Sequence, residues 1–428
     1  MKTSNNKNVK LTLLKPLAEA FSEVSNVREC PRYSDWDHVL SGVSRVLGDA
    51  KTGREFVQYR QCLNGEESSI SVHKFFDALS SKRRTTLVQE VSVRLCSEVN
   101  QQTPQRVNPL FDHPELENIG VYATDRHADG ASAHENKIQN KKRCINNIFS
   151  LNLKTNSLTH LSTCTPVTGA KKEHEMKTLK NLNSKAMRMN EPKGRKVIHA
   201  YDPAIIDYQQ WYKWKHSKGV YIITVEKSNS ALRPTAEPPW DENDLVNNGV
   251  LNDQWVFSSS TPTPIRRVTY QDPISGKTYK FLTNEMNLSP GLIAFIYRSR
   301  WNIEKVFDET KNKLGEAKAW GKSKASKEQQ ACFITMAYNL LILLEQRIEK
   351  CSGIIDFKTM IKRDNRKMKE IDFIVESDKA INPLLLSIDF ATQRSLQFIR
   401  WLRAKLIKPT SWDNAMKLLL PLQLQYLR

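Results

Sequence analysis

No two cysteines in the chain form a Cys-x-x-Cys pair. The seven present (30, 62, 96, 144, 164, 332 and 351) are scattered and odd in number, which reads as reduced, mostly structural thiols and offers no zinc site. No apolar run approaches the ~20 residues of a membrane span. The first eight residues, Met-Lys-Thr-Ser-Asn-Asn-Lys-Asn, hold no secretory apolar core. Together these absences predict a cytoplasmic protein. Acids are also in short supply: 46 Asp and Glu stand against 65 Lys and Arg, a net charge of +19. An excess of that size argues for a polyanionic partner, compatible with DNA or with an anionic membrane surface. No repeat of fixed period and no long low-complexity segment is present. The 428 residues are therefore expected to form two or three domains with a sizeable core.

The stretch from Ser289 to Leu314 carries the most information. Ser289 followed by Pro290 predicts a helix start, with a side-chain acceptor at the N-cap and a fixed φ at the first turn. The next break is Gly315, so one long helix is expected, with Leu292, Ile296, Ile303, Phe307 and Leu314 on its buried face. On the same wheel Tyr297, Arg300, Glu304 and Lys311 fall in a stripe about 60° wide beside that face. By itself such a stripe reads first as a solvated charged surface, with Arg300 and Glu304 as an i,i+4 pair.

Upstream, residues 1–105 read as helices, with apolar periodicity over Leu13–Val27, Trp36–Leu47, Phe56–Leu63 and Phe75–Leu95. A basic corner, Ser80-Ser-Lys-Arg-Arg-Thr-Thr, lies inside the last of them. Residues 101–117, with Pro104, Pro109 and Pro114, read as a linker. Strands are predicted at Ile119–Asp125, Cys144–Leu153 and Leu158–Thr163, the last two joined by a turn at Lys154–Ser157. A charged helix over Lys171–Met189 follows, then a strand at Lys196–Asp202, a helix over Asp207–Lys218 and a strand from Gly219. This order matches a ribonuclease H-like mixed sheet, and two of its strands end in Asp. Residues 226–290 read as a β-rich insertion, with β runs at Trp255–Phe257, Ile265–Tyr270 and Thr278–Leu282 and a turn at 273–276. The apolar segment Ala325–Lys350 reads as a core helix. The region 351–428 reads as helical, with amphipathic faces at Phe398–Leu406 and Leu418–Leu427 that suit a cap or a dimer contact.

The fold class is therefore α/β: a ribonuclease H-like catalytic domain over 118–350, flanked by helical N- and C-terminal regions. A fold of this kind with acids at its strand ends suits phosphoryl transfer on a polyanion, which needs charge stabilised on the attacking and leaving oxygens; two Mg²⁺ ions held by carboxylates would supply it, with Mn²⁺ as a substitute. Asp125 and Asp202 at the strand ends, with Glu304 of the stripe, are acids that such a site could gather. Residues alone leave rivals open: Asp129 for the first, and Asp207 for the second, although Asp207 also suits the N-cap of the helix it precedes.

The spacing Tyr297, Arg300, Glu304, Lys311, inside Tyr-Arg-Ser-Arg-Trp-Asn-Ile-Glu-Lys-Val-Phe-Asp-Glu-Thr-Lys-Asn, resembles the Tyr-Arg-Glu-Lys signature of bacterial insertion-sequence transposases, the insertion-sequence-four family in particular. Val121-Tyr-Ala-Thr-Asp125, with His134 downstream, looks like the family's first-acid strand. His199-Ala-Tyr-Asp202 followed by Ile206-Asp-Tyr-Gln-Gln-Trp looks like its second. The resemblance implies that Asp125, Asp202 and Glu304 are metal-binding catalytic acids. It implies that Tyr297, Arg300 and Lys311 hold DNA phosphates. In the Arg-x-Lys pattern after the following strand, Val225 replaces the arginine and Lys227 remains. Pro203 stands where the family places a basic residue. Trp240 or Trp255 would stack an unpaired base, against the plainer reading of a β-core tryptophan, which suits Trp255 especially. The implied activity is cleavage of transposon ends at terminal inverted repeats and joining to target DNA, through a hairpin intermediate, by a homodimer in a synaptic complex. A ribonuclease H-like nuclease or resolvase, or an inactive DNA-binding relative, are the alternatives.

Overall fold

A computed structural model of the chain describes residues 8–29, 33–48, 50, 52–64, 72–102, 113–133, 135–137, 145–164, 175–272, 275–314, 318–354, 365, 368–369, 372 and 393–424. His134, the turn at 273–274, the Gly315 break, Cys30, Cys144 and most of 355–392 lie outside them.

Nine strands among the described residues form one sheet in the order β3-β2-β1-β4-β5-β9-β8-β7-β6. The first five are β1 (Ile119–Asp129), β2 (Ile145–Asn152), β3 (Leu158–Thr163), β4 (Lys196–Ala200) and β5 (Val220–Val225). β1, β2 and β3 pair antiparallel, while β1-β4 and β4-β5 pair parallel. This is the mixed topology expected of a ribonuclease H-like core. The runs Val197-Ile-His-Ala200 and Val220-Tyr-Ile-Ile223 are β-branched and apolar without strict alternation, as strands covered on both faces require. The remaining strands are β6 (Arg233–Ala236), β7 (Val250–Phe257), β8 (Ile265–Gln271) and β9 (Thr278–Thr283). β9 pairs antiparallel with β5, so the β-rich segment widens the sheet. β6, a short exposed edge strand containing Pro234, has no apolar pattern to betray it in the sequence.

Helices cover both faces. On one side lie α1 (Val9–Ser22), α2 (Asp35–Gly48), α3 (Gly53–Asn64), α4 (Val72–Leu79) and α5 (Lys82–Gln102). The expected Phe75–Leu95 helix is thus two, divided at Ser80 and Ser81. The charged segment after β3 is likewise two short helices, α6 (Glu175–Lys180) and α7 (Ser184–Met187), because the Asn183 side chain caps a new helix by accepting from Ala186 N. The others are α8 (Tyr208–Lys218), α9 (Pro290–Ser299), α10 (Trp301–Lys313), α11 (Lys324–Ser352), α12 (Leu396–Ile407) and α13 (Trp412–Leu424). The helices of both termini, α9 to α11 and one sheet face share a single apolar core; Trp211, Trp214 and Met187 anchor a second core on the opposite face. By length and composition α11 could cross a membrane, contrary to the sequence expectation, but its apolar stretch is buried within the protein. The apolar face of α12 (Phe398, Ile399, Trp401, Leu402) is also buried within the chain, while Leu418 and Leu420 of α13 are exposed.

Where the β-rich segment returns to the core, Gly291 of α9 packs on the 3₁₀ turn Leu245–Asn247, and its N–H donates to Asn247 Oδ1 at 2.9 Å. A β-carbon at Gly291 would overlap the Val246 carbonyl. Gly291→Ala should therefore cost about 2–3 kcal/mol. A urea midpoint equal to the native one would show that this junction yields without strain.

Candidate active site

The parallel ladder between β1 and β4 ends at Ala123 opposite Ala200. Asp125 stands two residues further along β1 and Asp202 two residues past that pair, just beyond the end of β4, so both acids lie at the carboxyl end of the ladder and line one small pocket. β1 itself continues to Asp129 against β2; Asp125 lies within the strand and not at its end, as the sequence had suggested. Its Oδ1 accepts the Arg126 N–H at 2.8 Å. Asp202 Oδ1 accepts from Ala204 N at 2.9 Å, capping the turn Pro203–Ile205. The rivals are otherwise engaged. Asp129 is buried and accepts from Asn147 Nδ2 at 2.6 Å. Asp207 caps α8 through Gln210 N and pairs with Lys180 at 2.6 Å.

The long helix expected from Ser289 breaks at Arg300 into α9 and α10. The Arg300 N–H bonds to Tyr297 O, three residues back, and the Ile303 N–H to Arg300 O, so the helix tightens into one 3₁₀ turn there. Ser289 does not cap with its side chain; its N–H and hydroxyl both donate to Glu115. The buried face is as expected: Leu292, Ile296, Ile303, Phe307 and Leu314 are all in the core.

Across this break Arg300 meets two of the acids. Arg300 Nη1 lies 2.6 Å from Asp125 Oδ2 and 3.7 Å from Glu304 Oε1. Arg300 is only 6 % exposed, so it is not part of a solvated face, whereas the Glu304 side chain is 43 % exposed. Burial pushes the Asp125 carboxyl up to about 7; Arg300 and the Arg126 N–H oppose the shift and the Glu304 carboxyl adds to it. Burial likewise raises the Tyr297 phenol, with Asp202 and Asp125 adding and Arg300 opposing, which keeps its hydroxyl a donor. The Tyr297 ring packs on Phe281 at 5.1 Å. Lys311 is exposed, about 10 Å along the helix from Glu304. Burial and the nearby Lys311 charge lower His127 to about 4; its imidazole stacks on Phe307 at 4.6 Å.

The other candidates lie further out. Lys227 is exposed after β5. Trp255 is 37 % exposed on β7, which corrects the expectation of a core residue: the strand alternates here, with Val256 buried and Trp255 and Phe257 on the exposed face. Trp240 is half-buried against the core. In the basic corner, Arg83 and Arg84 are both engaged by the buried Asp35, at 2.6 and 3.1 Å.

Among the described residues no three His, Cys, Asp or Glu side chains are gathered as a ready-made metal site; the Arg300 guanidinium sits against Asp125 and Glu304. The donor chemistry nevertheless fits a hard divalent cation. The neighbouring acids offer carboxylate oxygens only, and a desolvated carboxyl raised by a second carboxyl is one that a cation would relieve.

The nine-stranded mixed sheet with helices at both ends is consistent with a ribonuclease H-like core. The profile of the transposase DDE domain matches residues 121–340, about half of the chain, and the chain belongs to that family. DDE transposases generally use divalent metal ions. A protein of Sinorhizobium fredii, y4zB, named provisionally as a transposase, is 23 % identical over 192 residues, 44 % of this chain. The matched part spans about half of that relative, 53 % of its length.

Proposed function

We propose that the chain is a cut-and-paste DNA transposase of the insertion-sequence-four type, with Asp125, Asp202 and Glu304 as its catalytic acids. The observation that supports this most is that Asp125 and Asp202 line one pocket at the carboxyl end of the β1-β4 ladder, with Glu304 close enough to Asp125 to raise its carboxyl. The three acids would hold Mg²⁺ or Mn²⁺, which supplies Lewis-acid charge to the attacking and leaving oxygens of the phosphodiester. Tyr297 donates its phenol to a phosphate near the scissile bond. Lys311 and Lys227 add point charges along the backbone, and Arg300 a guanidinium fork. Trp255, exposed on the sheet extension, offers a face for a displaced base. The N-terminal helices recognise the terminal inverted repeat, and two chains bring two ends together, each cutting the end held mainly by its partner.

The test uses DNA carrying the ends that flank the coding region. A transposase of this type gives, in order, a nick, a hairpin seen on a denaturing gel, a blunt excised end and a joined product. Nicks without joining would favour a nuclease or resolvase; specific binding without nicks, an inactive relative.

Two further results are expected. Lys311→Ala should weaken end binding and lower the salt slope by about one unit, the loss of one phosphate contact; an unchanged slope would return Lys311 to the solvated surface. Protons and cations compete for Asp125, which titrates at about 7. Below that pH the carboxyl is protonated and binds no cation, so Mn²⁺ affinity should rise with pH through 7 and flatten above. Affinity that is flat from pH 5.5 to 8.5 would remove Asp125 from the cation site.

A further inference from the structure

We infer that Arg300 is the site's own cation: it occupies the place between Asp125 and Glu304 until a divalent ion arrives, then gives up Asp125 and turns to a DNA phosphate. This inference rests on the reading of Asp125 and Glu304 as cation-binding acids.

The geometry carries it. One nitrogen, Nη1, approaches both carboxylates, at 2.6 and 3.7 Å, which is where a shared cation would neutralise both. The pair does not look like the permanent ion pairs of this chain. Arg266 uses all three nitrogens: Nε and Nη2 on Asp253, at 2.9 and 2.6 Å, and Nη1 on the Leu288 carbonyl, at 2.6 Å. Arg394 binds two carboxylates, through Nη1 to Glu309 at 2.5 Å and Nε to Glu345 at 2.9 Å. Arg300 makes one short bond, to Asp125, with the Tyr297 hydroxyl and the Tyr297 and Trp301 rings as its other neighbours, and its buried Nε has no hydrogen-bond partner. A guanidinium with fewer hydrogen bonds has fewer to give up on leaving than Arg266 or Arg394 would. Arg300 also stands at the break between α9 and α10, where a 3₁₀ turn replaces the regular helix. A hydrated divalent ion brings twice the charge to the same two carboxylates and favours release of the arginine. Cation loading and phosphate binding are thereby linked: each favours the state in which Arg300 has left Asp125, so each strengthens the other.

The test needs no cleavage. Mn²⁺ binding to the full DNA-free chain is followed by the loss of the free-ion EPR signal, at pH 8. Arg300→Gln should bind Mn²⁺ on the order of tenfold more tightly than the native chain, because the competitor is gone. Arg300→Lys, which keeps the charge and loses the fork, should fall between. Adding Asp125→Asn to Arg300→Gln should abolish the gain. Native-like or weaker Mn²⁺ binding in Arg300→Gln overturns the inference. If Asp125→Asn still weakens Mn²⁺ binding, the reading of the acids survives that failure; if it does not, that reading fails as well. Should the glutamine variant not fold, the native chain decides. The arginine Nε–H resonance missing from Arg300→Lys should shift on Mg²⁺ titration, and a resonance unmoved at saturation overturns the inference.

Discussion

Replacing Asp125, Asp202 or Glu304 with the corresponding amide should lower end cleavage by about a thousandfold or more, since several kcal/mol of charge stabilisation goes with the cations these acids hold. End binding should change little, because phosphate contacts spread over a basic surface supply most of it. The rivals provide the contrast. Asp129→Asn removes the partner of Asn147, and Asp207→Asn a helix cap and a pair with Lys180; both should cost stability and leave the cleavage rate of the folded protein near normal. A nicking assay on a labelled end fragment reads both sets at once. Full activity in Asp125→Asn with loss in Asp129→Asn would move the first acid four residues along β1.

The second large effect lies away from the acids. Arg394 is buried and joins Glu309 of α10 to Glu345 of α11, with its own N–H also donating to Glu309 Oε2 at 2.8 Å. Burial alone would lower its guanidinium pKa; the two carboxylates and Tyr338 outweigh that and raise it. Arg394→Met strands two carboxylates and should cost about 3–5 kcal/mol. A companion change, Glu309→Leu in the Arg394→Met background, should recover much of the loss, because an apolar replacement leaves one stranded charge fewer. Gln393 Nε2 donates to Asp308 at 2.5 Å and Arg403 Nη2 to the Lys313 carbonyl at 2.5 Å. The C-terminal region therefore braces the helix that carries Glu304. Urea denaturation of the single and double variants checks the claim, and a single variant within about 0.5 kcal/mol of native would contradict it.

Much of this was legible in the sequence because it is local. Alternation and β-branching marked eight of the nine described strands, and their order gave the mixed sheet. The strand ends offered Asp125 and Asp202 as candidates, and the family resemblance carried by the Tyr297-to-Lys311 spacing singled out Glu304. What could not be read was decided by partners far along the chain. The helix break at Arg300 accompanies a bond to Asp125, 175 residues away; helical periodicity carries no trace of it. Ser289 has the residue type of an N-cap, yet Glu115 takes its hydroxyl. Arg83 and Arg84 look like a DNA-facing corner until Asp35 is seen between them. Trp255 sits in an apolar run that reads as core, but strand alternation buries Val256 and leaves Trp255 and Phe257 on the open face of the sheet.

The central claim, that Asp125, Asp202 and Glu304 jointly hold the cations for DNA end cleavage, is tested most directly by anomalous diffraction from the protein bound to its own end DNA with Mn²⁺. The account predicts manganese peaks against these three carboxylates, with the Arg300 guanidinium withdrawn from Asp125 and on a phosphate. Bound end DNA with manganese elsewhere, or with all three acids free of it, would contradict the account.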